Sequence, residues 1–390
     1  MAKQPERILL VTEEFPPDVG GAGSVAYQNA KALSQWCNVD VLTRQRSGEV
    51  KEEKPFRLLE VSSLPKVWAF SLGYALRNMN LSEYDSIILN DVGAAFVAGA
   101  VLEQEDLSKS IVYTHGSDLE QVLGSPSLMY RLIRVPHFYR RALRQCHRLV
   151  AVSREQASRL GEVEGVSGLD EKSCVLYAGV DLSLFKRQPS VRNESSEIQL
   201  LTVGRVEASK GFPRKYEIFQ SMVASGCDVH WMVVGAGSYL SRLTQKVQQD
   251  GLGDRVTCVG AVPRSELAAF YSAADVFWLL SDKEAFGLVY IEANACGCPV
   301  IARRGSGVQE AVQDGITGFS VDSVEECIEL IQRREYERLD QSDLFQHAEQ
   351  FSLQRKTTKL LSLLRSMGKV SSKSSTNSID HTDCVSDTQA

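Results

Sequence analysis

Short apolar runs alternate along this chain with longer stretches in which apolar residues recur at helical spacing. In the first half the runs are Ile8–Val11, Val39–Thr43, Ser86–Leu89, Ile111–Thr114, Leu149–Val152 and Val175–Tyr177. In the second half they are Ile198–Val203, Val229–Val234, Val256–Val259, Val276–Leu280, Pro299–Ala302 and Gly318–Val321. Runs apolar on both faces and separated by helical patterns predict buried parallel strands. Two such series predict an α/β chain of two doubly wound, Rossmann-like units. The break between them is expected where Lys186–Glu197 turns polar and loses periodicity. That gives a first domain over 1–187 and a second over 188–367, with a terminal amphipathic helix at 344–367. From Gly368 the chain is rich in Ser, Thr and Asp without apolar spacing, which predicts a disordered tail over 368–390.

Composition narrows the classes. The 390 residues exceed one ordinary domain, and 43% hydrophobic content is enough for two cores. A net charge of −6 gives no general attraction to nucleic acid or anionic lipid, so any such contact needs a local patch. Nine cysteines without metal-like spacing suggest reduced thiols in a cytosol rather than disulfides or zinc. No apolar run reaches spanning length, so the expectation is a cytoplasmic protein, at most peripheral at the inner face of a membrane.

The candidate chemistry follows directly after predicted strands, where open α/β sheets bind ligands. Arg205 and Lys210, flanked by Gly204 and Gly211, offer a planar fork and a mobile point charge to phosphate oxygens. A solvated basic loop is the plainer alternative. Glu284-Ala-Phe-Gly-Leu-Val-Tyr-Ile-Glu292 sets a carboxylate at each end of a turn. If a helix starts near Leu288, the backbone N–H groups of Phe286, Gly287 and Leu288 face an anion. Eight positions of helix span roughly 12 Å, too far for the carboxylates of a glycosidase to share one bond. The two glutamates better fit the two polyhydroxylated ends of one ligand, although a helix-surface ion pair would also account for Glu292. His115, at a strand end, suits a sugar hydroxyl or simply a backbone carbonyl. Gly20-Gly21-Ala22-Gly23 fits either close approach to phosphate or a plain turn.

The stretch Arg131–Arg148 holds six arginines and two histidines among apolar residues, interrupted by Pro136. An ordinary packed helix with a solvated Arg face is the favoured reading. Contact with anionic lipid headgroups is the second.

These motifs, in this order, resemble a family 4 retaining glycosyltransferase of the GT-B fold. The resemblance runs over residues 5 to 365. It rests on Gly20-Gly21, Thr114-His115-Gly116, Tyr177-Ala-Gly-Val-Asp181, Gly204-Arg205 with Lys210-Gly211, Val234-Gly-Ala-Gly237, Glu284-x7-Glu292 and Ala295-Cys-Gly-Cys-Pro-Val-Ile301. It implies two domains facing a central cleft, with the C-terminal helix crossing back to the first. It also implies a hexosyltransferase that moves a sugar from a nucleotide-diphosphate sugar to a hydroxyl of a saccharide or lipid-linked acceptor, in envelope polysaccharide or glycolipid synthesis. No cofactor, metal or nucleic acid is implied.

Carried over by residue, Arg205 and Lys210 hold the diphosphate, Glu284 and His115 contact the sugar, and Glu292 the ribose. Gly20 and Gly21 approach the diphosphate, Phe286, Gly287 and Leu288 contact the phosphate and sugar through their backbone, and the base lies near Val262. The chain departs from the family pattern at Ala178, at Leu280-Ser281, at Ala285 and in the Phe212-Pro-Arg-Lys215 stretch. Two alternatives stay open, a nucleotide-sugar epimerase and a non-catalytic sugar-nucleotide-binding protein.

Overall fold

A computed structural model of the chain describes residues 6–16, 21–45, 54–62, 67–116, 119–162, 168–189, 196–282, 284–305 and 307–370. Two compact units emerge, one from Met1–Ala178 with Leu353–Ala390 and one from Gly179–Ser352.

The first unit is built on seven parallel strands: β1 (Arg7–Val11), β2 (Asn38–Arg44), β3 (Arg57–Val61), β4 (Ser86–Leu89), β5 (Ser110–Thr114), β6 (Arg148–Ala151) and β7 (Ser173–Val175). Their order is β3-β2-β1-β4-β5-β6-β7. Every residue of β4 and β5 is buried, as strands covered on both faces require. The helix Val92–Val101 packs closely on the helix Val135–Gln145. A Cβ at Gly99 would stand 2.0 Å from the Phe138 carbonyl oxygen, so only glycine permits this approach. Arg141 secures the pair by donating to the carbonyls of Gly99 (2.7 Å) and Leu102 (2.8 Å). One arginine of the basic stretch is thus structural.

The second unit holds six parallel strands: β8 (Ile198–Val203), β9 (Val229–Val234), β10 (Val256–Gly260), β11 (Val276–Leu279), β12 (Val300–Arg303) and β13 (Gly318–Val321). Their order is β10-β9-β8-β11-β12-β13. Its core carries an aromatic cluster in which Trp231 meets Trp278 edge-on at 5.1 Å. In each sheet the strand order reverses once at the centre, between β1 and β4 and between β8 and β11. These are the switch points where open α/β sheets leave a crevice at their carboxyl edge.

Three expectations need correction. The units part at Ala178/Gly179 rather than near residues 187/188. The terminal element is two helices, Gln341–Gln350 in the second unit and Leu353–Val370 in the first, not one over 344–367. The chain breaks helix at Phe351-Ser352, where the Phe351 carbonyl accepts from the Val180 amide (2.8 Å). Helix also continues through 368–370, and the expected tail beyond lies outside the described residues. The edge strand β3 was not anticipated. Its sequence RLLEV is only half-buried and lacks the two-faced apolar signature. No helix among the described residues is long and apolar enough to cross a membrane.

Candidate functional site

In the second unit the loops after β8 and β11 lie side by side because glycine lets them. Gly211 has φ 72°, and a Cβ there would fall 2.0 Å from the Leu280 carbonyl oxygen. The Asp282 amide donates to the Ser209 carbonyl at 3.1 Å and ties the same two loops together. This packing brings Lys210 against Glu284, with Nζ 2.6 Å from Oε1 and the side chains 21% and 11% exposed. Ser281 Oγ donates to the same oxygen at 2.8 Å. Both recorded bonds fall on Oε1, which leaves Oε2 and two of the three Lys210 N–H bonds for other groups.

Beside this pair the helix Leu288–Ala295 begins. Its N-cap is Gly287 at φ 88°, which has no side chain to satisfy the first-turn amides. An uncapped helix start next to a lysine is a favourable place for an anion. The helix Phe212–Ala224 opens in the same way, on left-handed Gly211. Leu288 is half-buried at the head of its helix, and Phe286 is buried against Phe351, ring centroids 5.1 Å apart.

Arg205 sits on a loop braced by its neighbour. The Val206 amide donates to the Ala236 carbonyl (2.9 Å) and the Tyr239 amide to the Val206 carbonyl (2.8 Å). The guanidinium is 55% exposed and pairs only loosely with Glu207, at 3.4 Å. An exposed pair of this kind binds weakly and leaves the fork available. Val262 lies half-buried in the loop after β10.

Glu292 behaves differently from Glu284. Its carboxylate is buried, bonded to Arg264 and, at 3.3 Å, to the Tyr271 hydroxyl. Burial pushes this carboxyl up from its ordinary range, with Arg264 and Tyr271 opposing. Neither Arg264 nor Tyr271 stood out from the sequence, since their relation to Glu292 is made only by folding.

In the first unit the carboxyl edge is organised by two residues that the sequence reading missed, Asn90 and Asp91, directly after β4. Asp91 caps the helix Val92–Val101 through the Ala94 amide (2.7 Å). It also accepts from the Thr12 hydroxyl (2.6 Å) and the Glu13 amide (2.7 Å). Asn90 Nδ2 donates to the Ala22 carbonyl at 3.0 Å. Together they pin the loop after β1. An N-cap Asp before an apolar run was a readable signal. Gly20 lies outside the described residues, while Gly21 opens the helix Gly21–Leu33.

His115, at the end of β5, is partly buried. Its Nε2 lies 2.7 Å from the Asn90 carbonyl and its ring stacks on Tyr113 at 5.8 Å. Burial drives its pKa down to about 4, so the imidazole is neutral near pH 7. The Asn90 contact makes Nε2 the protonated nitrogen.

The basic stretch resolves into the helices Leu128–Leu132 and Val135–Gln145, parted at left-handed Arg134. Leu128, Met129 and Leu132 are 73%, 59% and 74% exposed.

The arrangement defines a class, and the comparisons agree with it. The model of the Glycosyltransferase Family 4 matches residues 19–184, and that of the Glycosyl transferases group 1 matches residues 185–350. The chain belongs to this glycosyltransferase family. It is 25% identical over 339 residues to a GDP-mannose-dependent alpha-(1-6)-phosphatidylinositol monomannoside mannosyltransferase of Mycolicibacterium smegmatis, covering 82% of this chain and 86% of that one. A D-inositol 3-phosphate glycosyltransferase of Segniliparus rotundus is 33% identical over 186 residues, 45% of this chain and 41% of that protein.

The fold is that of solved GT-B structures. Anabaena Alr3699/HepE in complex with UDP and glucose aligns with TM-score 0.73 at 21% identity, over 93% of this chain and 100% of that one. A sucrose-phosphate synthase from Thermosynechococcus elongatus aligns with TM-score 0.74 at 21% identity, over 94% and 100%. The epimerase and non-catalytic readings find no support in these matches.

Proposed function

We propose that this glycosyltransferase moves a sugar from a nucleotide-diphosphate sugar to an acceptor hydroxyl with retention at the anomeric carbon and without a metal. The observation that carries the reading is the Lys210–Glu284 pair at the switch point of the second sheet, beside an uncapped helix start. Breaking the anomeric bond leaves negative charge on the diphosphate. Lys210, Arg205 and the amides at Gly287 and Leu288 stabilise that charge, in the role a metal plays elsewhere. Glu284 Oε2 accepts from a hydroxyl of the transferred sugar. Glu292 serves the ribose by accepting from a hydroxyl through a lone pair that Arg264 and Tyr271 leave open. The family motif further assigns His115 to the sugar, Gly20 and Gly21 to the diphosphate and Val262 to the base. The acceptor hydroxyl attacks on the face the leaving group departs from, and the departing phosphate takes its proton.

The relatives' acceptors suggest a saccharide or lipid-linked acceptor in envelope glycolipid or polysaccharide synthesis. A peripheral membrane contact fits that acceptor. The exposed Leu128, Met129 and Leu132 stand beside Arg131 and Arg134 in a segment rich in cations. Flotation with anionic vesicles, absent with zwitterionic ones and lost on Leu128→Asp with Leu132→Asp, tests it. The transfer itself is tested by incubating the chain with UDP- and GDP-sugars and following nucleotide release and the anomeric configuration of the product by NMR. Absence of any release, or an inverted product, refutes the reading.

A further inference from the structure

Lys215 has no part in the reading above, yet it stands in the unusual Phe-Pro-Arg-Lys stretch that directly follows Lys210-Gly211. It lies in the first turn of the helix Phe212–Ala224 and is 0% exposed. Helical side chains lean toward the N-terminus. Accordingly, Nζ sits 3.7 Å from the centroid of the Phe212 ring and 5.8 Å from that of Trp231. Its recorded hydrogen-bond partner is Thr202 Oγ1, at 3.4 Å. That hydroxyl already donates to the Trp278 carbonyl (2.9 Å) and accepts from Trp231 Nε1 (3.1 Å), so a single lone pair remains for the amine.

An ammonium in this place meets three penalties. Burial removes its water, the helix dipole sets positive potential where Nζ points, and Lys210 repels it, with only Glu284 opposing. The Phe212 face offers a cation–π attraction, which is smaller than the cost of burying an unpaired ion. The amine is held well below the ordinary lysine range. The elements packed against it present Thr202 from β8 and Trp231 from β9, and among the described residues the charged groups acting on it are Lys210 and Glu284. A diphosphate on Lys210 would reverse the balance, since its negative charge offsets both Lys210 and the helix start.

We propose that Lys215 is a proton-linked positioning residue of the donor site, taking one proton from solvent when the diphosphate of a nucleotide sugar settles on Lys210. The resulting ammonium adds to the potential that holds the phosphates. This rests on the donor-site reading above, and the test separates the two. Isothermal titration of the whole chain with UDP-glucose and GDP-mannose, in buffers of unlike ionisation enthalpy, counts protons taken up. The pyrophosphate of these probes does not titrate near neutral pH.

Wild type should take up protons on binding and Lys215→Met none. The variant should bind about tenfold more weakly at the acid end of the series, the equivalent of one unit of pKa shift. The two Kd values should converge as pH rises. A merely structural lysine would not produce that pH-dependent split. Lys172, a lysine whose amine burial also lowers and whose partners belong to no part of the site, is the control, and Lys172→Met should keep the uptake. Binding with no net uptake in wild type, loss of the uptake in Lys172→Met, or equal uptake in wild type and Lys215→Met overturns the proposal. If neither probe nor any other nucleotide sugar binds, the donor-site reading falls and takes this one with it.

Discussion

Replacing Lys210 by Ala removes a cation from the loop beside the uncapped helix start and leaves Glu284 without its ion-pair partner, and the two effects differ in size. At about 4 Å and an effective dielectric near 20, two unit charges interact by about 4 kcal/mol. Arg205 and the helix amides share the load, so the measured loss should fall nearer that of one oxyanion donor, about 100- to 1000-fold in kcat. The stability cost is smaller. The pair is mostly buried, 21% and 11% exposed, but Ser281 still bonds Glu284 after the change, so about 2 kcal/mol is expected. Steady-state transfer and urea unfolding on the same preparations separate the two. Lys210→Arg keeps a cation and should recover part of the rate, while Lys210→Met should resemble Ala. If Lys210→Ala retains kcat within about threefold of wild type while staying folded, the leaving-group role is wrong.

Three further outcomes follow from the geometry. Gly211→Ala combines a left-handed φ with a Cβ 2.0 Å from the Leu280 oxygen, so it should cost about 2 kcal/mol or more and shift the Lys210 loop. Its unfolding midpoint, set against that of exposed Gly251→Ala, reads this directly. His115 has a folded pKa of about 4, below its unfolded value, so its contribution is full above pH 6.5 and is lost as pH falls toward 4. Urea unfolding at pH 7 and pH 5 should therefore show His115→Gln losing about 2 kcal/mol less than wild type over that interval. Glu292→Gln keeps the shape but removes the charge facing Arg264. It should raise the donor KM about tenfold with little change in kcat, because a ribose contact is the same in ground and transition states. A kcat loss with unchanged KM would move Glu292 out of the ribose role.

Much of this was legible because the strand signal is strong where strands are buried on both faces. β1, β4, β5, β8 and β11 are such strands, and the ordered motifs at their ends place the loops that carry Lys210, Glu284 and His115. What escaped lies where the period is weak or the partner is distant. β3 is an edge strand of mixed polarity. The helix break at Phe351-Ser352 depends on Val180, over a hundred residues earlier in the chain. Asp91 carries a readable cap signal, but that Thr12, Glu13 and Ala22 hang on Asn90 and Asp91 is made only by folding.

The two glutamates of the motif show how far spacing alone can reach. An eight-residue separation said that both could meet one long ligand, but not that their environments would differ. Glu284 is held by Lys210 and Ser281 through one oxygen, so it can bond a hydroxyl without first giving up its cation. Glu292 is buried, with Arg264 and Tyr271 each bound to one of its oxygens, so a ligand hydroxyl must reach a remaining lone pair in a site already closed to water. The first arrangement suits a group that bears on a reacting sugar, where a fixed carboxylate costs no reorganisation as charge develops. The second suits a group that only anchors, where one further hydrogen bond to a carboxylate already fixed by the protein adds modest affinity. The roles assigned to the pair therefore rest on how each carboxylate is already engaged, which eight residues of sequence between them do not encode.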